Sequence, residues 1–161
     1  MNEREDRSLG SKADIFRARF QQRARKKKLR DNERALIDTI QKLDHDYEGL
    51  IVVVEGKRDE LVLRSLGLKA PIVRTQSGTP RTMFIDQLAL ATNQDRQVLI
   101  LTDFDDEGSE LCRTIEQELE IRRVKVLRRL RREIRKAMGN WRCIEELTAL
   151  FKRRDSPEPA S

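Results

Sequence analysis

The sequence predicts an α/β protein built on a parallel sheet of about four strands flanked by helices, and three observations predict it. Two runs, at 50–54 and 98–102, are short, apolar and largely β-branched or leucine, as strands buried on both faces of a parallel sheet are. Stretches of helical periodicity alternate with them, giving the order βαβαβα. Acidic residues follow both runs directly, at the carboxyl ends where open parallel sheets carry their sites.

Taken in order, residues 1–11 are polar and predict a frayed start. The segment 12–30 holds nine Lys or Arg against one acid, with Ile15, Phe16 and Phe20 near one face, and predicts a basic helix or arm. A further helix is expected after Asp31 or Asn32 as N-cap, with Leu36, Ile37, Ile40 and Leu43 at helical spacing. Strand 50–54 follows, then a helix over 59–66 ending at Gly67. A weaker strand spans 71–75. In the Ser77-Gly78-Thr79-Pro80 turn, Thr79 reads as an N-cap with Pro80 at the first helical position. Strand 98–102 leads to a helix over 108–120. A short strand at 123–127 entering a basic helix is expected next, then a helix over 144–151. The domain reading is a basic N-terminal helical extension at 1–49, a core domain at 50–127, a C-terminal helical extension at 128–154, and a Pro/Ser-rich tail at 155–161 expected to be disordered.

Bulk properties narrow the function classes. The 161 residues suit one ordinary domain, and 39% charged with 4% aromatic residues imply an aliphatic core under a charge-dense surface. No apolar run nears the ~20 residues of a membrane span, and the charged N-terminus lacks a signal-peptide apolar region, so a cytoplasmic protein without membrane partners is expected. Two cysteines, Cys112 and Cys143, and one histidine, His45, cannot supply the four ligands of a structural zinc site. Buried thiols are the expectation for the cysteines, and a solvated position for His45. The net charge divides along the chain as +3 over 1–49, −2 over 50–108 and +5 over 109–161. An acidic centre between basic flanks suits a cation that bridges protein and phosphate.

The chemistry concentrates in Glu55-Gly56 and in Asp103-Phe104-Asp105-Asp106-Glu107-Gly108. Two carboxylates about 4 Å apart repel by roughly 4 kcal/mol at an effective dielectric near 20, a cost that a hard divalent cation reverses. Oxygen-only ligands suit magnesium or manganese. In an extended stretch Asp103 and Asp105 point to one side while Phe104 turns into the core. Asp106 and Glu107 also suit a helix N-terminus as dipole partners. An EF-hand loop fails because Thr114 stands where the bidentate glutamate belongs. A phospho-aspartate phosphatase would carry its Asp-x-Asp after the first strand, followed by threonine.

Val-Val-Glu-Gly-Lys-Arg-Asp at 53–59 and Leu-Thr-Asp-Phe-Asp-Asp-Glu-Gly at 101–108 resemble the two signatures of the Toprim domain. The likeness covers about residues 50–127, and in overall size the chain is similar to small stand-alone archaeal Toprim proteins. The resemblance implies a compact Rossmann-like Toprim fold in which Glu55, Asp103 and Asp105 are catalytic and hold Mg²⁺ or Mn²⁺, Glu55 doubling as general acid or base. It further suggests that Asp59 assists a second ion, with a helix N-terminal acid as the alternative, and that Lys57, Arg58, Gly78 and Arg81 meet phosphate. Lys57 and Arg58 read equally as solvated, and Gly78 as a turn former.

Among Toprim activities, strand passage needs a tyrosine nucleophile, yet Tyr47 lies eight residues before Glu55, roughly 26 Å along an extended chain. A primase needs nucleotide- and zinc-binding parts for which the chain has no room. Hydrolysis needs only metal-activated water. The resemblance therefore implies magnesium-dependent phosphodiester hydrolysis. Glu-Gly-x-x-Asp looks most like the 5S ribosomal RNA maturase form, which favours RNA over DNA, with structured RNA such as ribosomal RNA or ribosomal particles as partner. The alternative is a non-catalytic nucleic-acid-binding module or assembly factor. The segment 122–136, again nine Lys or Arg against one acid, supplies Arg128, Arg129, Arg131 and Arg132 as expected backbone contacts.

Overall fold

The computed structural model of the chain describes residues 3–92 and 95–148, and the side chains of these outside 3–11 and 24–30. The predicted tail at 155–161 and the end of the predicted 144–151 helix lie outside the described residues. Helix α1 (Glu3–Asp46) leads to β1 (Leu50–Val54), α2 (Lys57–Ser65), β2 (Ile72–Arg74), α3 (Arg81–Ala91), β3 (Gln97–Ile100), α4 (Asp106–Ile121), β4 (Lys125–Val126), α5 (Arg128–Met138) and a 3-10 turn (Ile144–Leu147). The four strands form one parallel sheet in the order β2-β1-β3-β4. The expected α/β class and strand count are thus observed.

Because side chains alternate along a strand, the all-apolar β1 serves two cores at once. Leu50, Val52 and Val54 face a core built with α1, α2, α5 and the 3-10 turn, where Leu36, Ile40, Leu63, Ile134 and Leu147 are buried. Ile51 and Val53, with Val98 and Ile100, face the other, built with α3 and α4 through Phe84, Ile85, Ile115 and Leu119. The result is a three-layer sandwich. The chain leaves β1 toward β2 and then crosses back past β1 to β3, so the strand order reverses between β1 and β3. That reversal opens a crevice beyond the carboxyl ends of these two strands.

Several boundaries differ from the sequence reading: the start expected to fray is helical from Glu3, and the helix expected from 144 opens as a 3-10 turn over Ile144–Leu147. The basic arm and the helix expected after Asp31 or Asn32 are one helix, α1. No glycine or proline occurs between Lys12 and Asp46, and runs of Arg, Lys, Gln, Ala and Leu favour helix, so the potential caps at Asp31 and Asn32 are not used. Pro80, rather than Thr79, takes the N-cap position of α3. Gly67 does end α2: at φ +107° it lets the Leu68 amide donate to the Leu63 carbonyl at 3.1 Å, closing the last turn. His45 is exposed, in the last turn of α1, and Cys112 is buried with a free thiol. Among the described residues no helix is long and apolar enough to cross a membrane.

Candidate functional site

The crevice between β1 and β3 is a cleft of about 630 Å³. Glu55 enters it one residue past β1, and Asp103 three residues past β3, in a stretch held to β1 by the bond from the Leu101 amide to the Val53 carbonyl (2.7 Å). Asp105, Glu107 and Glu110 line it from the start of α4, and Thr75, Gln76, Thr79 and Arg81 from the β2–α3 side. The alternation expected in the second motif is present: Asp103 and Asp105 line the cleft while Phe104, 5% exposed, turns into the core.

Glu55 and Asp103 lie side by side in the cleft, within hydrogen-bonding reach of each other. Burial, then this bond and the charges of Asp103, Asp59 and Asp105, push the Glu55 carboxyl up to about 7. Asp103 is also raised, chiefly by burial, although the bond from Glu55 works the other way.

Asp105 plays a second part. As N-cap of α4 its Oδ1 accepts the Gly108 amide at 2.7 Å, and the Thr102 hydroxyl donates to the Gly108 carbonyl at 2.8 Å. A Cβ on Gly108 would fall 2.2 Å from the Asp103 carbonyl oxygen, so the loop closes on α4 only with glycine there. Asp59 accepts the Gly56 amide at 3.0 Å as an acid at the start of α2, 7% exposed. Burial raises its carboxyl above the ordinary range, with the Glu145 charge adding to the shift. Among the described residues no group of three or more His, Cys, Asp or Glu side chains converges as a metal cage. The converging element is the Glu55–Asp103 pair.

The UPF0292 protein of Thermococcus gammatolerans is 37% identical to this sequence over 122 residues, spanning 75% of this chain and 86% of that protein. The chain belongs to the UPF0292 family. Other relatives are the UPF0292 proteins of Pyrococcus horikoshii, 38% identical over 74% of this chain and 83% of its own length, and Methanocaldococcus jannaschii, 33% identical over 62% and 75%. No family model matches the sequence. Among solved structures, a putative protein from Aquifex aeolicus superposes with a TM-score of 0.56 at 22% identity, covering 70% of this chain and 94% of that one, and shares the fold.

In this UPF0292 chain the residues expected to meet phosphate are not all available for it. Arg81 lines the cleft, whereas Gly78 is exposed in the turn before Thr79. Lys57 and Arg58 are exposed at the start of α2, and Arg58 pairs with Glu145 at 3.0 Å. Arg129 pairs with Glu133 on the outer face of α5, and Arg128 with Glu116 and Glu120 of α4. Arg132 is exposed.

Arg131 overturns its expected role. It is 9% exposed, and its guanidinium donates to the carbonyls of Ile100 and Thr102, each at 2.9 Å, and of Asp103 at 3.3 Å, while lying 4.5 Å from the Phe104 ring centroid. Burial lowers its pKa from the ordinary arginine value. At the end of β3 and just past it, Arg131 supplies charged donors to buried backbone carbonyls. Arg135 adds a bond to the Phe104 carbonyl at 3.1 Å. The sequence does carry the signal: Arg131 follows Leu127 by four and precedes Ile134 by three, inside the apolar stripe of α5. The 3-10 turn was missed as a neighbour of the site. It brings Glu145 to Arg58 and leaves the Arg142 carbonyl to accept the Phe104 amide.

Proposed function

We propose that the chain is a Toprim-type, magnesium-dependent phosphodiesterase of nucleic acid that processes structured RNA, such as ribosomal RNA, in the cytoplasm. The observation that carries this reading is that Glu55, Asp103 and Asp105 line one cleft at the strand-order reversal beyond β1 and β3. The donor set fits the ion. Magnesium is commonly held by one or two carboxylates together with substrate phosphate and water, so a pair suffices where a closed cage would exclude the phosphate. Glu55 and Asp103 would hold Mg²⁺ or Mn²⁺, with Asp105 beside them. An ion held there would supply Lewis-acid chemistry, polarising phosphate and lowering the pKa of water.

The rest falls to the chain itself. Glu55, which lines the cleft one residue past β1, is placed to act as general acid or base. Arg131 and Gly108 hold Asp103 in place through the backbone, and Arg81 offers the cleft a cation. A second reading is a nucleic-acid-binding module or assembly factor that retains the acid pair without turnover. What favours it is that one Asp105 oxygen is already committed to capping α4.

Cleavage of total cellular RNA in magnesium or manganese decides between them. The phosphodiesterase reading expects cleavage by wild type that chelator abolishes and Glu55→Gln loses. RNA bound but left intact by wild type in either metal supports the second reading. Calorimetric titration of Mg²⁺ adds an independent measure, and affinity unchanged in the Asp103→Asn, Asp105→Asn double variant removes the metal site.

A further inference from the structure

We infer that the groove between α4 and α5 is a second, metal-independent site for the sugar-phosphate backbone, gripping the nucleic acid a few nucleotides from the phosphate at the Glu55–Asp103 pair. The inference rests on the reading of that pair as the place where phosphate is handled. The groove is a cleft of about 590 Å³ into which five arginines, Arg113, Arg128, Arg131, Arg132 and Arg135, are gathered against one carboxylate, Glu116. Arg128 is neutralised by Glu116 and Glu120, and Arg131 is spent on backbone carbonyls. That leaves Arg113, Arg132 and Arg135 with no carboxylate partner among the described residues.

A charge run on a helix is ordinarily a solvated face, and two observations separate this groove from that. Arg113 comes from α4, fifteen residues before the first arginine of α5, so the fold rather than a local run assembles the cluster. The basic residues of α5 also divide by face: Arg128, Arg132 and Arg135 line the groove, while Arg129 lies outside it, paired with Glu133. Concave gathering of like charge is unfavourable unless an anion completes it, and guanidinium forks match phosphate oxygens in pairs.

Phosphate backbone is favoured because the groove and the acidic cleft are opposite sides of one wall. Gly108, Leu111 and Ile115 of α4 line the acidic cleft, and Ser109, Cys112 and Glu116 line the groove. The short loop before α4 divides in the same way, Asp103 and Asp105 to the cleft and Phe104 to the groove. A helix is about 10–12 Å across with its side chains, a distance that a few nucleotides of a single strand span. A single strand with one phosphate at the acid pair reaches the groove over the start of α4.

The test is fluorescence anisotropy of a short fluorescein-labelled single-stranded RNA with the full chain, in chelator, across a salt series. Arg113→Gln with Arg132→Gln is compared with Arg129→Gln with Lys136→Gln, which removes the same charge outside the groove. Arg113 and Arg132 are exposed and carboxylate-free among the described residues, so both variants are expected to melt with wild type. The groove variant should lose roughly 20-fold in affinity near 0.1 M salt and flatten the log–log salt slope by about 1.4, two contacts' worth. The control should lose less than about threefold. Equal losses in the two variants, or none in the groove variant, overturn the groove. So does polyglutamate displacing the RNA as well as unlabelled RNA does, which would make the groove a site for acidic protein. Because the readout is metal-free binding, loss of the proposed cleavage activity leaves it unmoved, and the two readings fail separately.

Discussion

Segments 12–30 and 122–136 have the same charge inventory, nine basic residues and one acid, yet the fold uses them in opposite ways. In the first, residues 12–23 are exposed throughout, even Phe16 and Phe20 at 72% and 69%. In the second, Leu130, Arg131 and Ile134 are buried, and an arginine becomes part of the interior. Both carry apolar residues at helical spacing, so amphipathicity does not separate them. Chain continuity does. Segment 122–136 contains β4 and is tethered to the sheet, whereas an unbroken helix at ~1.5 Å per residue carries Phe20 about 24 Å from Leu36, a buried leucine of α1. A stripe meets a core only if the backbone brings it there.

The comparison breaks most visibly at Arg131. Arg131→Met should cost about 3 kcal/mol or more in urea unfolding, since carbonyls at the end of β3 lose their donor in a buried setting. A cost below ~1 kcal/mol would place this segment with the first as surface charge. Next in size, Gly108→Ala tests whether the anchored loop, rather than α5 itself, is what matters. Its Cβ has no room beside the Asp103 carbonyl, and a loss of about 1–3 kcal/mol is expected in the same assay, with weaker Mg²⁺ binding by calorimetry.

A smaller effect sharpens the contrast from the acidic side. The folded Glu55 carboxyl, at about 7, lies above its ordinary 4.5, so the folded state holds the proton more tightly than the unfolded chain. The associated stability is fully present below about 4.5 and is lost as pH rises through about 7. Thermal melts of metal-free protein from about pH 4 to 8 should show that decline, with Glu55→Gln flattening it. Magnesium should raise the melting temperature only toward the upper end. The smallest effect belongs to the first basic segment: Arg17, Arg19 and Arg23 together to Gln should shift stability by no more than about 0.5 kcal/mol.

What the sequence made legible was whatever a local pattern determines. The apolar runs of β1 and β3 could be placed because burial on both faces leaves no polar position, and Gly67 marked the end of α2 because the turn there requires a positive φ. The acids Glu55, Asp103 and Asp105 were legible because each lies within a few residues of a strand end, and all three line one cleft. Contacts between distant parts were not. Arg58 and Glu145 are 87 residues apart, and nothing at either position marks the other. Arg131 lies between these cases: its phase within an apolar stripe was readable, but charge was read before position. The caps at Asp31 and Asn32 misled for the opposite reason, since a capping residue permits a helix start and does not impose one.

The sheet described above also has consequences for the behaviour of the chain in a crowded solution. Its edges are β2, three residues long and carrying Arg74, and β4, two residues long and carrying Lys125. Unpaired strand edges are templates on which other chains can dock and propagate, and brevity with charge is how natural sheets blunt them. The aliphatic residues of β1 and Val98, Leu99 and Ile100 of β3 therefore sit between two poor templates and stay sequestered for as long as the native fold holds.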